Sequence, residues 1–438
     1  TGLLYPSQSY TLHEVYAPGG YTVTTDIAFS FDANMVPTVT STTFGGVDQG
    51  VIYMVDAATR VELDKRILIN STQAGATLSG ATLSVTPATQ GNGFTNTFSW
   101  TSGSDGTNTD GSDKPHVLTG LVTGVKYTLT ESAAPDGYLR AASIDFIVDT
   151  DGRIRYKLST EGDSAYRYAA AQTLTMLDAP THVNLSKKAT GGGEELPGAI
   201  VRVTAQNTNN ETVLVKEWTS GYLDDGTPTT AAHTLDNLTV GVVYTFTERI
   251  PASGYAIAES IQFVIQPDGS VKAKKASEPD SAYATVTAQI VLMLDAPTVV
   301  TFSKQELTNS PEIPGAELTL TDLTPDANQP TAQTVWNWTS QSTPTVLTGQ
   351  LRVGHTFRLT EVTAPNGYRI AESVTFKLTP EGAIAVATDQ SGQPIQNPSG
   401  ELQTATNTVV MRDAPTKLSL TKVDDATPPK PVAGATLK

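Results

Sequence analysis

The sequence contains no cysteine, which excludes disulfides, thiolate nucleophiles, zinc fingers and iron–sulfur ligation together. Positive charge is also scarce. Lys and Arg number 28 against 44 Asp and Glu, giving a formal net charge of −16, so the electrostatic footprint of a nucleic-acid or anionic-membrane binder is missing. No run of about 18 apolar residues occurs, so no α-helical membrane span is expected. The first ten residues, TGLLYPSQSY, have neither the basic nor the apolar stretch of a secretion leader, and no signal peptide is expected there. The five histidines (His13, His116, His182, His233, His355) are scattered; no H-E-x-x-H or G-x-S-x-G occurs, and the glycine run Gly191–Gly193 leads into Glu194 rather than a P-loop lysine. A substrate-turning enzyme, a metal and a cofactor are therefore not expected.

What is present is repetition. One phrase occurs four times, as YTLHEVYAPGGY from Tyr10, YTLTESAAPDGY from Tyr127, YTFTERIPASGY from Tyr244 and FRLTEVTAPNGY from Phe357. A second, VIYMVDAAT, TLTMLDAPT, IVLMLDAPT and VVMRDAPT, places Asp at 56, 178, 295 and 413. A third follows each directly and places Lys at 65, 187, 304 and 422. The spacing is roughly 120 residues, far longer than the solenoid repeats of about 20–50. Whole units in tandem are expected at 60–180, 181–297 and 298–415, with the back part of another at 1–59 and the front part of another at 416–438. The chain then reads as a segment of a longer repetitive protein.

Within a unit, short runs rich in Val, Ile, Thr, Tyr and Phe alternate with Gly, Pro, Asn and Asp clusters, and no window sustains a helical period. IDFIVDTDGRIRYKL from Ile144 and IQFVIQPDGSV from Ile261 read as hairpins around Asp-Gly turns. About seven strands per unit predict an all-β fold of tandem immunoglobulin-like two-sheet sandwiches, joined head to tail through short, stiff A-P-T linkers. Trp100, Trp218 and Trp338 are expected as core aromatics rather than as a carbohydrate platform.

Strand parity exposes an anomaly. Side chains at i, i+2 and i+4 share a face. Val61, Leu63 and Lys65 therefore align, as do Leu174, Met176 and Asp178, and Tyr127, Leu129 and Glu131. The same parity holds for Lys187, Asp295 and Glu248, and for Lys304, Asp413 and Glu361. Each unit aims one Lys, one Glu and one Asp at its own apolar face, a violation of binary patterning of the kind that marks function. The three could sit at the core rim and point to water, or form a buried ion triad. They could also react. Burial favours a neutral amine beside a protonated acid, a nucleophile beside an electrophile, with the Glu as proton shuttle. Loss of water would then leave a Lys–Asp amide.

These residues carry a resemblance. The units resemble the collagen-adhesin B-type (Cna-B, SpaA-like) domains of Gram-positive surface adhesins and pilins, and the resemblance spans essentially the whole chain. The phrase LTESAAPDGY is similar to that family's E-box, and the S-K and M-x-D-A-P-T segments to its reactive lysine and acceptor strands. The resemblance implies intramolecular isopeptide bonds Lys65–Asp178, Lys187–Asp295 and Lys304–Asp413, with Glu131, Glu248 and Glu361 as catalysts. Glu14 and Asp56 would belong to a unit whose lysine lies upstream, and Lys422 to one whose acid lies downstream. Asp in place of the family's frequent Asn implies loss of water rather than ammonia. The first unit departs from the pattern, with Asp64 and Arg66 flanking Lys65.

The function implied is structural: a stalk or pilus-like segment at the cell surface or wall of a Gram-positive-type bacterium, extracellular, whose cross-links carry tension and whose partners are neighbouring repeats. The alternative is an array of binding modules that grips a host or matrix ligand through unlike loops, such as 101–115 and 386–402. No YPKN-like pilin motif or LPxTG-type signal occurs in the sequence.

Overall fold

The computed structural model describes residues 4–40, 44–70, 72–88, 97–308, 311–325 and 331–436. Among the described residues strands take up 47% and helix 3%, so sheets alone build every core. The alternation read from the sequence appears as alternating burial, most plainly in Ile290–Asp295, where Val291, Met293 and Asp295 are buried and Ile290, Leu292 and Leu294 are exposed.

Three separate cores form, one around Val61, Leu83, Phe146 and Met176, one around Val183, Val201, Phe246 and Met293, and one around Val300, Leu318, Phe376 and Met411. Each lies between two sheets. In the first sandwich, Arg60–Leu68 runs between His116–Thr119 and Thr173–Asp178. The facing sheet orders Thr82–Pro87, Lys126–Ala133, Ile144–Val148 and Ile154–Leu158, with the Asp-Gly hairpin joining the last two. The second and third sandwiches repeat this order. The first and last strands of each are neighbours and run parallel: Met176 lies beside Lys65, Met293 beside Lys187 and Met411 beside Lys304. A parallel pair needs a long crossover, and here everything between the two strands serves as the crossover. In the third sandwich the last strand gains a further neighbour, Gly400–Gln403.

Trp218 is buried, and Trp100 and Trp338 pack partly buried against their cores. Trp100 stacks on His116 and Trp218 on His233, each at 4.4 Å between ring centroids.

The A-P-T tripeptides do more than shorten the linkers. Thr181 is 1% exposed; its backbone N–H donates to Gly137 O at 2.9 Å, and its hydroxyl donates to Leu238 O at 2.6 Å in the following sandwich. Thr298 does the same between Gly254 O and Leu351 O, and Thr59, which ends an A-A-T instead, between Gly20 O and Leu121 O. The glycines are needed there. Gly254 has φ +87°, and a Cβ on it would lie 2.1 Å from Gly349 O.

Residues of the leading piece form a three-stranded sheet, Ser9–Leu12, Ile27–Phe31 and Pro37–Val39, and a hairpin, Gly45–Asp48 with Val51–Met54. In the trailing piece Leu418 and Leu420 are 81% and 70% exposed, and a bridge joins Val423 to Pro431.

Candidate functional site: a buried Lys–Glu–Asp triad

Parity and register together place the triad. In Arg60–Leu68 the residues Val61, Leu63 and Lys65 point inward, and Lys65 is 4% exposed. The parallel neighbour sets Met176 beside it, so Asp178, two residues on, faces the core diagonally from Lys65. Glu131 arrives from the other sheet, inward with Tyr127 and Leu129 on Lys126–Ala133. The triad thus bridges the sandwich.

Lys65 Nζ donates to Asp178 Oδ1 and lies 3.1 Å from Glu131 Oε1. Lys187 Nζ donates to Asp295 Oδ1 and lies 2.9 Å from Glu248 Oε1. Lys304 Nζ donates to Asp413 Oδ1 and lies 3.1 Å from Glu361 Oε1. Asp178, Asp295 and Asp413 are fully buried. Burial pushes the Asp178 and Asp295 carboxyls up to about 7 and Asp413 to about 6; the neighbouring lysine opposes that rise and the neighbouring glutamate adds to it. Each site would otherwise hold two carboxylates and one ammonium out of water, so a proton on the acid makes it neutral overall.

Two oxygens per site accept no directed hydrogen bond: Glu131 Oε1 with Asp178 Oδ2, Glu248 Oε1 with Asp295 Oδ2, and Glu361 Oε1 with Asp413 Oδ2. Both carboxyls of a site contact the same lysine amine. A proton held on either oxygen would supply a partner that the site otherwise lacks.

The second glutamate oxygen is fixed. Glu131 Oε2 accepts the Ala141 N–H at 2.7 Å, and the Ala258 and Ala371 N–H groups bond Glu248 and Glu361 in the same way. The tyrosine that ends the E-box phrase bridges to the A-P-T proline, Tyr138 to Pro180, Tyr255 to Pro297 and Tyr368 to Pro415. The two phrases recur together because they form one substructure, which holds the glutamate and the strand of the acid in mutual register.

The remaining residues form half-sites. Glu14 accepts the Thr24 N–H at 2.8 Å, repeating the E-box bond. Asp56 is pushed up by burial and by the charge of Glu14 beside it, and no lysine precedes Lys65 in the sequence. Lys422 is exposed. The longer loops close on themselves: Thr107 bridges to Asp113 and Thr388 to Pro394. Among the described residues no group of three His, Asp or Glu side chains is placed to hold a metal ion, and no helix is long and apolar enough to cross a membrane.

Parity reasoning missed two carboxylates beside the lysines, Glu195 and Glu312. Their signal was a repeated phrase, ELPGA from Glu195 and EIPGA from Glu312, with TLSGA from Thr77 in the first unit.

Against known proteins, the family model for SpaA, a prealbumin-like fold domain, matches residues 66–162, 181–278 and 298–392, well over half of the chain. No curated protein matches it. Among solved structures, the pilus adhesin SpaC from Lactobacillus rhamnosus GG in its open conformation is 14% identical, over 90% of this chain and 48% of its own, with a TM-score of 0.34. The Bacillus anthracis TIE protein is 15% identical, over 93% of this chain and 59% of its own, at 0.29. The shaft pilin SpaA from L. rhamnosus GG is 16% identical, over 55% of this chain and 99% of its own, at 0.24. The chain spans about half the length of the SpaC adhesin it matches.

Proposed function

The chain belongs to the SpaA family of prealbumin-like fold domains, and on that premise we propose that it is a self-cross-linked stalk or pilus-like segment of a surface adhesin. The observation that carries the reading is the buried contact of Lys, Glu and Asp, made three times with the same partners. The unit divisions at 60, 181, 298 and 416, the extracellular wall-attached location, and neighbouring repeats as partners belong to the same proposal.

The chemistry needs no external reagent. With the proton on the acid and the amine neutral, Lys187 Nζ attacks Asp295 Cγ. Glu248 takes a proton from the attacking nitrogen and delivers it to the departing hydroxyl. A C–N bond forms, a C–O bond breaks, and one water leaves. Each site reacts once, so the chain is not an enzyme in the turnover sense.

Mechanically, the bond joins the entry and exit strands. In a parallel pair the entering end of one and the leaving end of the other lie at opposite ends, so a pull on the chain shears the two strands lengthwise. An amide between Lys187 and Asp295 carries that load past the enclosed 108 residues.

The test is the intact mass of the denatured chain. Three closed sites predict a deficit of about 54 Da, falling by ~18 Da with each of Lys65→Ala, Lys187→Ala and Lys304→Ala. A mass equal to the sequence value would remove the cross-link and leave a ligand-binding array as the better reading.

A further inference from the structure

Lysine strands face a local difficulty that the triad does not solve. In the second sandwich the antiparallel neighbour, His233–Asp236, pairs with His182–Leu185 and goes no further, so it ends before Ser186 and Lys187. In the third, Thr345–Thr348 pairs with Val299–Phe302 and ends before Ser303 and Lys304. The reactive residue thus sits where its strand has lost one partner. Its register matters most there, because a slip of one residue turns the lysine out of the core.

A buried carboxylate takes the place of the missing strand. Glu195, 7% exposed, accepts the Lys187 backbone N–H at 2.7 Å on Oε1 and the Ser186 hydroxyl at 2.8 Å on Oε2. The next residue closes the clasp: Leu196 N–H donates to Lys187 O at 2.6 Å. Glu312 accepts the Lys304 N–H at 2.8 Å and the Ser303 hydroxyl, and Ile313 N–H donates to Lys304 O at 2.7 Å. Burial pushes the Glu195 carboxyl up, while the bonds from Lys187 and Ser186 pull against it. The first sandwich keeps the backbone bond, Leu78 N–H to Lys65 O at 2.9 Å, but not the carboxylate. A short strand, Ala74–Thr77, pairs with the end of the lysine strand, Thr77 stands at the glutamate position, and its hydroxyl oxygen accepts the Asp113 N–H. Asp64, in the serine position, pairs with Arg66 at 2.5 Å.

We propose that Glu195 and Glu312 are positioning residues for cross-link formation, clamping Ser–Lys so that the amine is held against its acid; the first unit lacks the clamp and closes more slowly. The proposal rests on the cross-linking reading above. Neither carboxylate touches the reacting atoms.

The experiment follows closure unit by unit in the full chain, by pulse-chase cell-free synthesis with peptide mapping of the ~18 Da loss. Glu195→Ala is expected to slow closure of 187–295 by ~10-fold or more, while 304–413 in the same molecules closes at the unchanged rate. Glu312→Ala gives the reciprocal result. Glu195→Gln keeps an acceptor for the Lys187 N–H and restores closure to within about threefold, a rescue that generic loss of packing does not predict. Wild-type 65–178 closes last of the three. Wild-type closure with Glu195→Ala as fast as wild type, or with Glu195→Gln as slow as Glu195→Ala, overturns the positioning role alone. No loss at any wild-type site overturns the cross-linking reading and this inference with it.

Discussion

Lys187 donates a hydrogen bond to Asp295 across two parallel strands although 108 residues separate them in the chain. The contact depends on register. Lys187 lies beside Met293, and only the diagonal step to Asp295 keeps both functional groups on the core face. Glu248 completes the site from the facing sheet at 2.9 Å. None of the three can be moved by one position without leaving the core.

Removing the glutamate should stop the chemistry and spare the fold. Glu248→Gln keeps the size of the side chain and an oxygen for the Ala258 N–H, but cannot accept and return the proton. The intact mass is expected to rise by ~18 Da apart from the substitution itself, with the open site mapped to 187–295 and the other two closed. Full closure in this variant would exclude Glu248 as the proton shuttle.

The cross-link should contribute strongly to stability. Comparing wild type with Glu248→Gln isolates it, since the two differ by one amide group and the bond. Closing a loop of ~100 residues is worth about 4.7 kcal/mol on the chain-entropy model developed for disulfides. For a unit of this size that corresponds to a fall of roughly 20 °C or more in the melting temperature of the second sandwich. Calorimetry showing a shift of only a degree or two would mean that the bond is either absent or mechanically idle.

Acid should slow closure. The reactive arrangement, neutral amine with protonated acid, holds one proton in the pair, as does the ion pair. Acidification through the pKa of the acid adds a second proton and masks the amine, so the rate falls about tenfold per pH unit below that point. Burial pushes Asp178 and Asp295 to about 7 and Asp413 to about 6. All three sites should therefore lose rate as the pH falls through about 7 to 6 and below. Pulse-chase mapping at pH 5.5–8 checks this, and a rate that climbs on acidification would contradict it.

Much of the site was legible because strand parity is a rigid rule. A Lys, Glu or Asp two residues beyond a pair of core side chains faces the core, and Lys65, Glu131 and Asp178 do. The pairing of the E-box phrase with the A-P-T phrase was not legible, because Tyr138 and Pro180 meet through backbone bonds that no side-chain pattern encodes. Nor was the parallel neighbourhood of first and last strands, since alternation gives the face of a strand and not its partner. Glu195 escaped because it lies outside any strand, where parity says nothing; only its position opposite Lys187 gives it meaning. Short edge strands such as Ala74–Thr77 and Arg167–Tyr168 are too brief to register as alternation.

The junction threonines bear on whether the chain transmits force as a stiff element. Thr298 is 2% exposed, and its hydroxyl bonds Leu351 O at 2.8 Å while its N–H bonds Gly254 O at 2.8 Å, so one residue holds the E-box loop of the second sandwich against the third. Thr298→Val keeps the shape and removes the donor, leaving a buried carbonyl unpaired at a cost of about 1–3 kcal/mol. Gly254→Ala acts on the same seam by steric means, since its Cβ would lie 2.1 Å from Gly349 O. Both variants should leave the mass deficit and the individual cores intact while loosening the orientation of the second sandwich relative to the third. Residual dipolar couplings measured for the two sandwiches should report one common alignment in wild type and two diverging alignments in either variant. A common alignment that survives both substitutions would place the stiffness in the proline-restricted backbone instead of in the threonine clamp.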